Sequence, residues 1–365
     1  MFPYIVVFAM ILVCSFLDLA EIPRVRILYA GLCIMLTLFV ATRLVGPDLY
    51  TYESFYKIIP PTPHLLKEFM KFTQMSVFEP AFLLLNGIFK SLDLSFAAFI
   101  FLFSSAFMFL FVYKLERYSP TPFCALLVFT GFVYMTSFSA IRQIMASAIF
   151  FYGLEYLLKG RRNLFLLFLF LALLFHFSAI CLFIFYFIGN KRINTKVILL
   201  VFLVLVPLAM SGLMSSGASS LLRLVPVFPG KFERYLNDPM PFWGAVSFFW
   251  VIALGICLIF RKRLEMLDER FNLFFNIIWT GLAIYIIATN FGGFGRVLLF
   301  FKLGFVVILP LFVIMIREFY GRVLCIIGLG CISALLFFSA ILTDTRYFFY
   351  NRYLPYKTWL IHEQT

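Results

Sequence analysis

The chain has 365 residues, 64% of them hydrophobic and only 13% charged, with a mean hydropathy of +1.03. No soluble domain of this length carries so much apolar sequence, and runs long enough to cross a bilayer recur from end to end, so the composition specifies a polytopic helical membrane protein. The formal charge of +13 combines the Lys and Arg excess that orients such proteins with a remainder that, on the opposite face, suits an anionic ligand.

Phe2–Leu19 lacks a basic leader and a small-residue cleavage site, and reads as the first span. Ile27–Leu44 pairs with it through Glu21–Arg26, a short basic turn assigned to the cytoplasm, so the second span ends outside at Arg43. An outer loop over about 43–78 follows. It holds the turn Gly46-Pro47-Asp48 and a stretch, His64–Thr73, whose apolar spacing predicts a short interfacial helix. Glu79-Pro80 opens Ala81–Phe89, too short to span. Proline suits the first helical turn and an acid suits the positive end of the helix dipole, which predicts a re-entrant or tilted half-helix.

Phe96–Tyr113 then runs inward to Lys114–Arg117, Phe123–Phe138 outward, and Ile141–Leu158 back to the basic cluster Lys159–Arg162. As one span, Leu164–Ile188 would put Lys191, Arg192 and Lys196 outside. As two half-spans broken at Phe175-His176-Phe177-Ser178 it keeps them inside, and the broken form is expected. Val197–Met214 leads to a second outer loop, about 215–241, and Phe242–Phe260 returns to Arg261–Arg263. Phe271–Asn290 exits to Gly292–Arg296, and Val297–Ile316 and Val323–Leu342 complete the set before an outer tail of Tyr, Arg and Pro. The expectation is an all-α, single integral membrane domain over 1–365, with about 10–12 transmembrane helices and short re-entrant or broken segments. The seven cysteines lie in apolar runs without paired spacing and serve packing, not a disulfide framework or a zinc site.

Polar residues at span ends carry the functional reading. A guanidinium stays charged at any accessible pH, so Arg142, beside Gln143 at the mouth of an apolar run, is a functional-site candidate. Arg43, Asp48, Glu79, His176 and Arg296 are expected on the same side. Each has a plainer alternative. Arg43 can snorkel to headgroups, Asp48 can simply shape its turn, Glu79 can pair with an arginine, and His176 can be a packed histidine.

Gly46-x-Asp48-x-x-x-Tyr52, Glu79-Pro80-x-Phe82, Ile141-Arg142-Gln143, Phe175-His176-x-Ser178-Ala179 and a late Arg296 occur in that order. The ordered set resembles the EpsG/Wzy group of bacterial polysaccharide polymerases over most of the chain. It departs from that group at Leu49, where an aromatic often follows the aspartate, and at Pro47, so substrate choice does not transfer. The resemblance implies a GT-C-like enzyme that joins repeat units carried on undecaprenyl diphosphate at the outer, periplasmic face of the bacterial inner membrane. The implied partners are lipid-linked glycan donor and acceptor and the bilayer, with a flippase and a chain-length regulator as further candidates, and no nucleic acid.

That chemistry needs positive charge for the departing diphosphate, for which Arg142, Arg296 and Arg43 are the candidates. It also needs an acceptor for the attacking hydroxyl's proton, from His176, Asp48 or Glu79. Gln143, Ser178 and Tyr52 are supporting residues. No Asp-x-Asp occurs, so a metal–diphosphate clamp has no sequence support, and an inverting, metal- and cofactor-independent reaction is expected. Two rivals remain. A membrane-bound O-acyltransferase explains His176 but leaves the outer arginines idle. A transporter of lipid-linked sugars would be expected to show inverted repeats or mid-membrane charges.

Overall fold

The computed structural model describes residues 1–20, 25–67, 78–211, 245–289, 297–346 and 351–361. Among them every regular element is a helix, and the single β feature is one antiparallel bridge between Arg43 and Thr358. Four helices are long and apolar enough to cross a membrane: Phe2–Leu19, Phe96–Tyr118, Leu298–Met315 and Phe319–Leu342. Shorter apolar helices account for most of the remaining predicted spans. The chain is a multi-pass membrane protein. It forms two compact units, Met1–Phe183 with Leu309–Thr365, and Ile184–Ile308.

In the first unit α1 (Phe2–Ser15) and α2 (Val25–Ala41) lead to α3 (Leu49–Ile58) and α4 (Thr62–Lys67). The predicted interfacial helix is thus seen over its first part, and its remainder lies outside the described residues. Next come α5 (Pro80–Ser91), α6 (Phe96–Tyr118), α7 (Pro122–Phe132), α8 (Ile141–Leu158) and α9 (Arg162–Phe175). The expected run Phe123–Phe138 is not one helix. It breaks at Val133 and continues as a 3-10 turn, Tyr134–Phe138. Before the break, Gly131 lies so close to the last long helix that an added Cβ would be 2.5 Å from Ser333 Cα.

The first amides of α7 are satisfied from another element, since Asp18 accepts from Cys124 N at 2.7 Å and from Phe123 N at 3.4 Å. At the same end, α6 and α8 are fastened by a buried ion pair. Lys114, 1% exposed, meets Glu155 and lies 4.0 Å from the centre of the Tyr152 ring. The opposite end of this unit gathers Arg43, Glu79, Arg142 and His176.

The second unit contains α10 (Ile184–Ile188), α11 (Thr195–Met210), α12 (Ala245–Ile259), α13 (Arg261–Leu267) and α14 (Phe271–Ala288), with the first part of α15 (Leu298–Met315). Here α14 fits tightly between neighbours, for a Cβ on Gly281 would meet both Trp250 and Phe301. The two basic stretches expected on one side do meet. Arg192 Nε pairs with Glu265 at 2.8 Å, and Arg261 donates to Ile193 O at 2.8 Å. Arg261 is not a solvent-facing charge, however. It is buried and also holds Thr195, Glu265 and Asn272. The last long helix of the first unit is α16 (Phe319–Leu342).

Candidate functional site

Glu79 occupies the N-cap position of α5, with Pro80 in the first turn, as the sequence predicts. Its side chain makes no bond to its own helix. Instead one carboxylate oxygen takes an Arg142 Nη1–H and the other lies 3.0 Å from His176 Nδ1. The carboxylate is 4% exposed, Arg142 16% and His176 19%, so the acid is sealed in while both of its partners keep an open edge.

Each partner comes from a helix end. Arg142 is the second residue of α8, raised to this position by the 3-10 turn before it. His176 ends α9 in extended conformation, φ −157° and ψ 118°, where a 3-10 stretch, Phe177–Phe183, takes over. The predicted break of Leu164–Ile188 falls at this residue. A continuous helix would have carried the imidazole onto a helical face, whereas the break leaves it at a terminus beside Glu79.

Aromatic rings make the floor. Arg142 stacks its guanidinium carbon 4.7 Å from the Phe78 ring centre and 5.9 Å from Phe82. Tyr52, Phe99 and Phe103 each meet the Phe82 ring edge to face, and Phe175 packs on Phe103 at a tilt. Tyr52, buried on α3, accepts a hydrogen bond from Arg142, which joins the first outer loop to the site. Burial pushes the Glu79 carboxyl up, but the His176 hydrogen bond and the Arg142 guanidinium pull it down further. Its pKa is therefore below the ordinary carboxylate value. An ionised carboxylate only accepts, so His176 Nδ1 carries a proton and, in the neutral ring, Nε2 keeps its lone pair. A histidine oriented this way by an acid is a ready general base.

The other predicted residues fall as follows. Asp48 is half-buried at the N-cap of α3 and makes no capping bond. Gln143 is buried on α8. Ser178 Oγ is buried and has no hydrogen-bond partner among the described residues. Arg296 lies outside the described residues, as do the second outer loop and residues 68–77. Arg43 belongs to this end of the unit but is 2% exposed, donating Nη1 to Val40 O and, at 3.3 Å, to Ser104 Oγ.

What covers Arg43 is a contribution the sequence reading missed. Residues 351–361 fold back over the 42–46 stretch. Leu44 N donates to Lys357 O at 2.8 Å, Gly46 N to Arg352 O at 3.0 Å and Trp359 N to Thr42 O at 3.1 Å. Tyr356 stacks on Phe39 with ring centres 4.1 Å apart, and Arg352 makes a forked pair with Asp344. Tyr353 hydrogen-bonds Ser139 through its hydroxyl and accepts from Tyr4 at its carbonyl. Burial and nearby Asp344 push the Tyr353 phenol up to about 12, so it stays protonated. The clustering of Tyr and Arg in the tail was the available signal, but a one-residue bridge across more than 300 positions leaves no local pattern.

Among the described residues, no group of three His, Cys, Asp or Glu side chains is close enough to hold a metal ion. A family model described as the EpsG family matches residues 26–358, from the start of α2 into the docked tail. No curated protein and no solved structure matches the chain.

Proposed function

The chain belongs to the EpsG family, and on that premise we propose that it is a polysaccharide polymerase acting on lipid-linked repeat units. The substrates are oligosaccharides on undecaprenyl diphosphate, joined at the outer face of the bacterial inner membrane with release of the lipid diphosphate. The observation that carries the reading is the Arg142–Glu79–His176 chain, a histidine base oriented by a buried carboxylate beside an arginine. A sugar hydroxyl of the acceptor bonds to the donor's anomeric carbon as the bond from that carbon to phosphate breaks. The electron pair leaves with the diphosphate, and the hydroxyl proton passes to His176 Nε2. One displacement, with no covalent intermediate, inverts the anomeric centre.

The charge of the trio supports this role. With His176 neutral, Arg142 and Glu79 cancel, and when the proton arrives the group becomes positive. Positive charge therefore develops as the leaving diphosphate gains negative charge, in a partly dehydrated setting where such matching is strong. Arg142, with its planar fork, is assigned to the diphosphate, and Asp48 is assigned to acceptor hydroxyls. No metal is needed in this scheme.

Purified, chelator-stripped protein given an undecaprenyl-diphosphate repeat unit is expected to build a ladder of products whose new linkage has inverted configuration. No ladder from folded protein overturns the function. A ladder that appears only after magnesium or manganese is restored overturns the arginine-based mechanism.

A further inference from the structure

The trio is balanced before reaction, while a lipid diphosphate brings at least two negative charges, so the site needs a cation that no carboxylate already neutralises. Arg43 is such a cation. Its guanidinium is 2% exposed, and among the described residues no acid pairs with it. Nη1 reaches Val40 O and Ser104 Oγ, but Nε and Nη2 are buried and have no hydrogen-bond acceptor among the described residues. The surroundings are rings: Phe138 lies 5.3 Å from the guanidinium carbon, with Tyr4, Tyr52, Tyr134 and Tyr356 close by. The hydroxyls of Tyr4, Tyr134 and Tyr356 donate to the carbonyls of Tyr353, Leu36 and Phe39. A buried, unpaired guanidinium is costly, and two unused donors on one planar fork match the oxygens of a phosphate.

The 351–361 segment packs against Arg43, with a main-chain bridge from Thr358 and Tyr356 near the guanidinium. That segment is held to residues 42–46 by main-chain bonds, one hydroxyl pair and ring stacking, and no acid on it answers the guanidinium. Those contacts strand no charge when they break, and the forked Arg352–Asp344 pair anchors the start of the segment, so the part free to lift lies beyond Arg352. We propose that Arg43 is a further phosphate-binding residue for the lipid-linked substrate, and that residues 353–361 are the cover displaced when the phosphate enters. This rests on the polymerase reading. Tyr52 hydrogen-bonds Arg142 and is near Arg43, so with the cover off both cations are available to one diphosphate.

Thr42 and Thr358 give the test, because their hydroxyls are 2.8 Å apart and cysteines there lie within reach of a disulfide. The Thr42→Cys/Thr358→Cys protein is expected to polymerise when reduced and to lose about tenfold or more of its rate when oxidised. Equal rates overturn the cover. If the reduced form is inactive, Thr358→Cys alone decides. Its alkylation by a maleimide is expected to speed up with inorganic pyrophosphate, and not to do so when Arg43 is also changed to Gln. An unchanged alkylation rate, or the same increase without Arg43, overturns the proposal. An increase produced by phosphatidylglycerol vesicles and not by pyrophosphate makes the ligand a membrane headgroup and overturns the substrate assignment. The alkylation arm reads phosphate binding even if wild-type protein builds no ladder, so failure of the polymerase reading is seen separately.

Discussion

Glu79 holds an arginine and a histidine with one carboxylate, and the two contacts differ in consequence. The Arg142 contact keeps the acid ionised in a buried place, and the His176 contact fixes which ring nitrogen carries the proton. Replacing Glu79 by Gln removes the ion pair while keeping the shape. With both side chains largely buried, the loss is about 3 kcal/mol, with collapse of polymer synthesis beyond the loss of folded protein. The pH dependence has a definite sign. The folded-state pKa lies below the unfolded one, so this stabilisation is fully present above the ordinary carboxylate value, about 4.3, and fades as pH falls through the lower folded value. Thermal melts in detergent are expected to show a gap between wild type and Glu79→Gln that is wide at neutral pH and closes in acid. A constant gap means that the ion pair is not its source. Arg142→Lys keeps the charge but loses the fork that serves Glu79 and Tyr52 together, and polymer yield per folded protein is expected to fall at least tenfold.

At the scale of elements, the turn at Gly46 explains a motif that sequence alone leaves as a spacing. Gly46 has φ +138°, where side chains are strained, and an added Cβ would lie 2.2 Å from the Phe138 carbonyl oxygen. That carbonyl is main chain and cannot yield, since it ends the turn that presents Arg142. Gly46→Ala is expected to cost about 1–3 kcal/mol, read as a lower melting temperature with reduced polymer yield. An unshifted melt removes the close approach as the motif's reason. The elements nearest the site were legible because their signals are local: Glu79-Pro80 as a helix start, Ile141–Leu158 as a helix, and the break at His176 from the sign of the charges that follow. The burial of Arg43 and the inward turn of Arg261 were not legible. An arginine at a helix end has the same local sequence whether it faces water or answers carbonyls from a distant segment.

For the whole molecule, the claim open to test is sidedness. Arg43, Glu79, Arg142 and His176 share one end of the first unit, and Lys114, Glu155 and Asp18 share the other. In the second unit the basic stretches around Arg192 and Arg261 meet at one end. On the proposed orientation, with the Glu79–Arg142–His176 end of the first unit outward, Tyr50→Cys, at an 80% exposed position on α3, is expected to react with an impermeant maleimide in intact cells. Lys262→Cys is expected to react only after permeabilisation. The reverse pattern would put the diphosphate chemistry on the wrong side of the membrane.

The bond from Tyr4 to the Tyr353 carbonyl joins residues 349 positions apart, and Thr42 meets Thr358 across 316. The segment that packs against Arg43 is therefore supplied hundreds of residues after the helices that it meets have been made. A nascent chain can insert α1 to α9 and bring Glu79, Arg142 and His176 together while Arg43 still lies uncovered. Such long-separation contacts form late, since the intervening chain must first be placed. Assembly thus carries its own timer: until the last helix and the segment beyond it are in place, an interrupted chain leaves Arg43 without the segment that packs beside it.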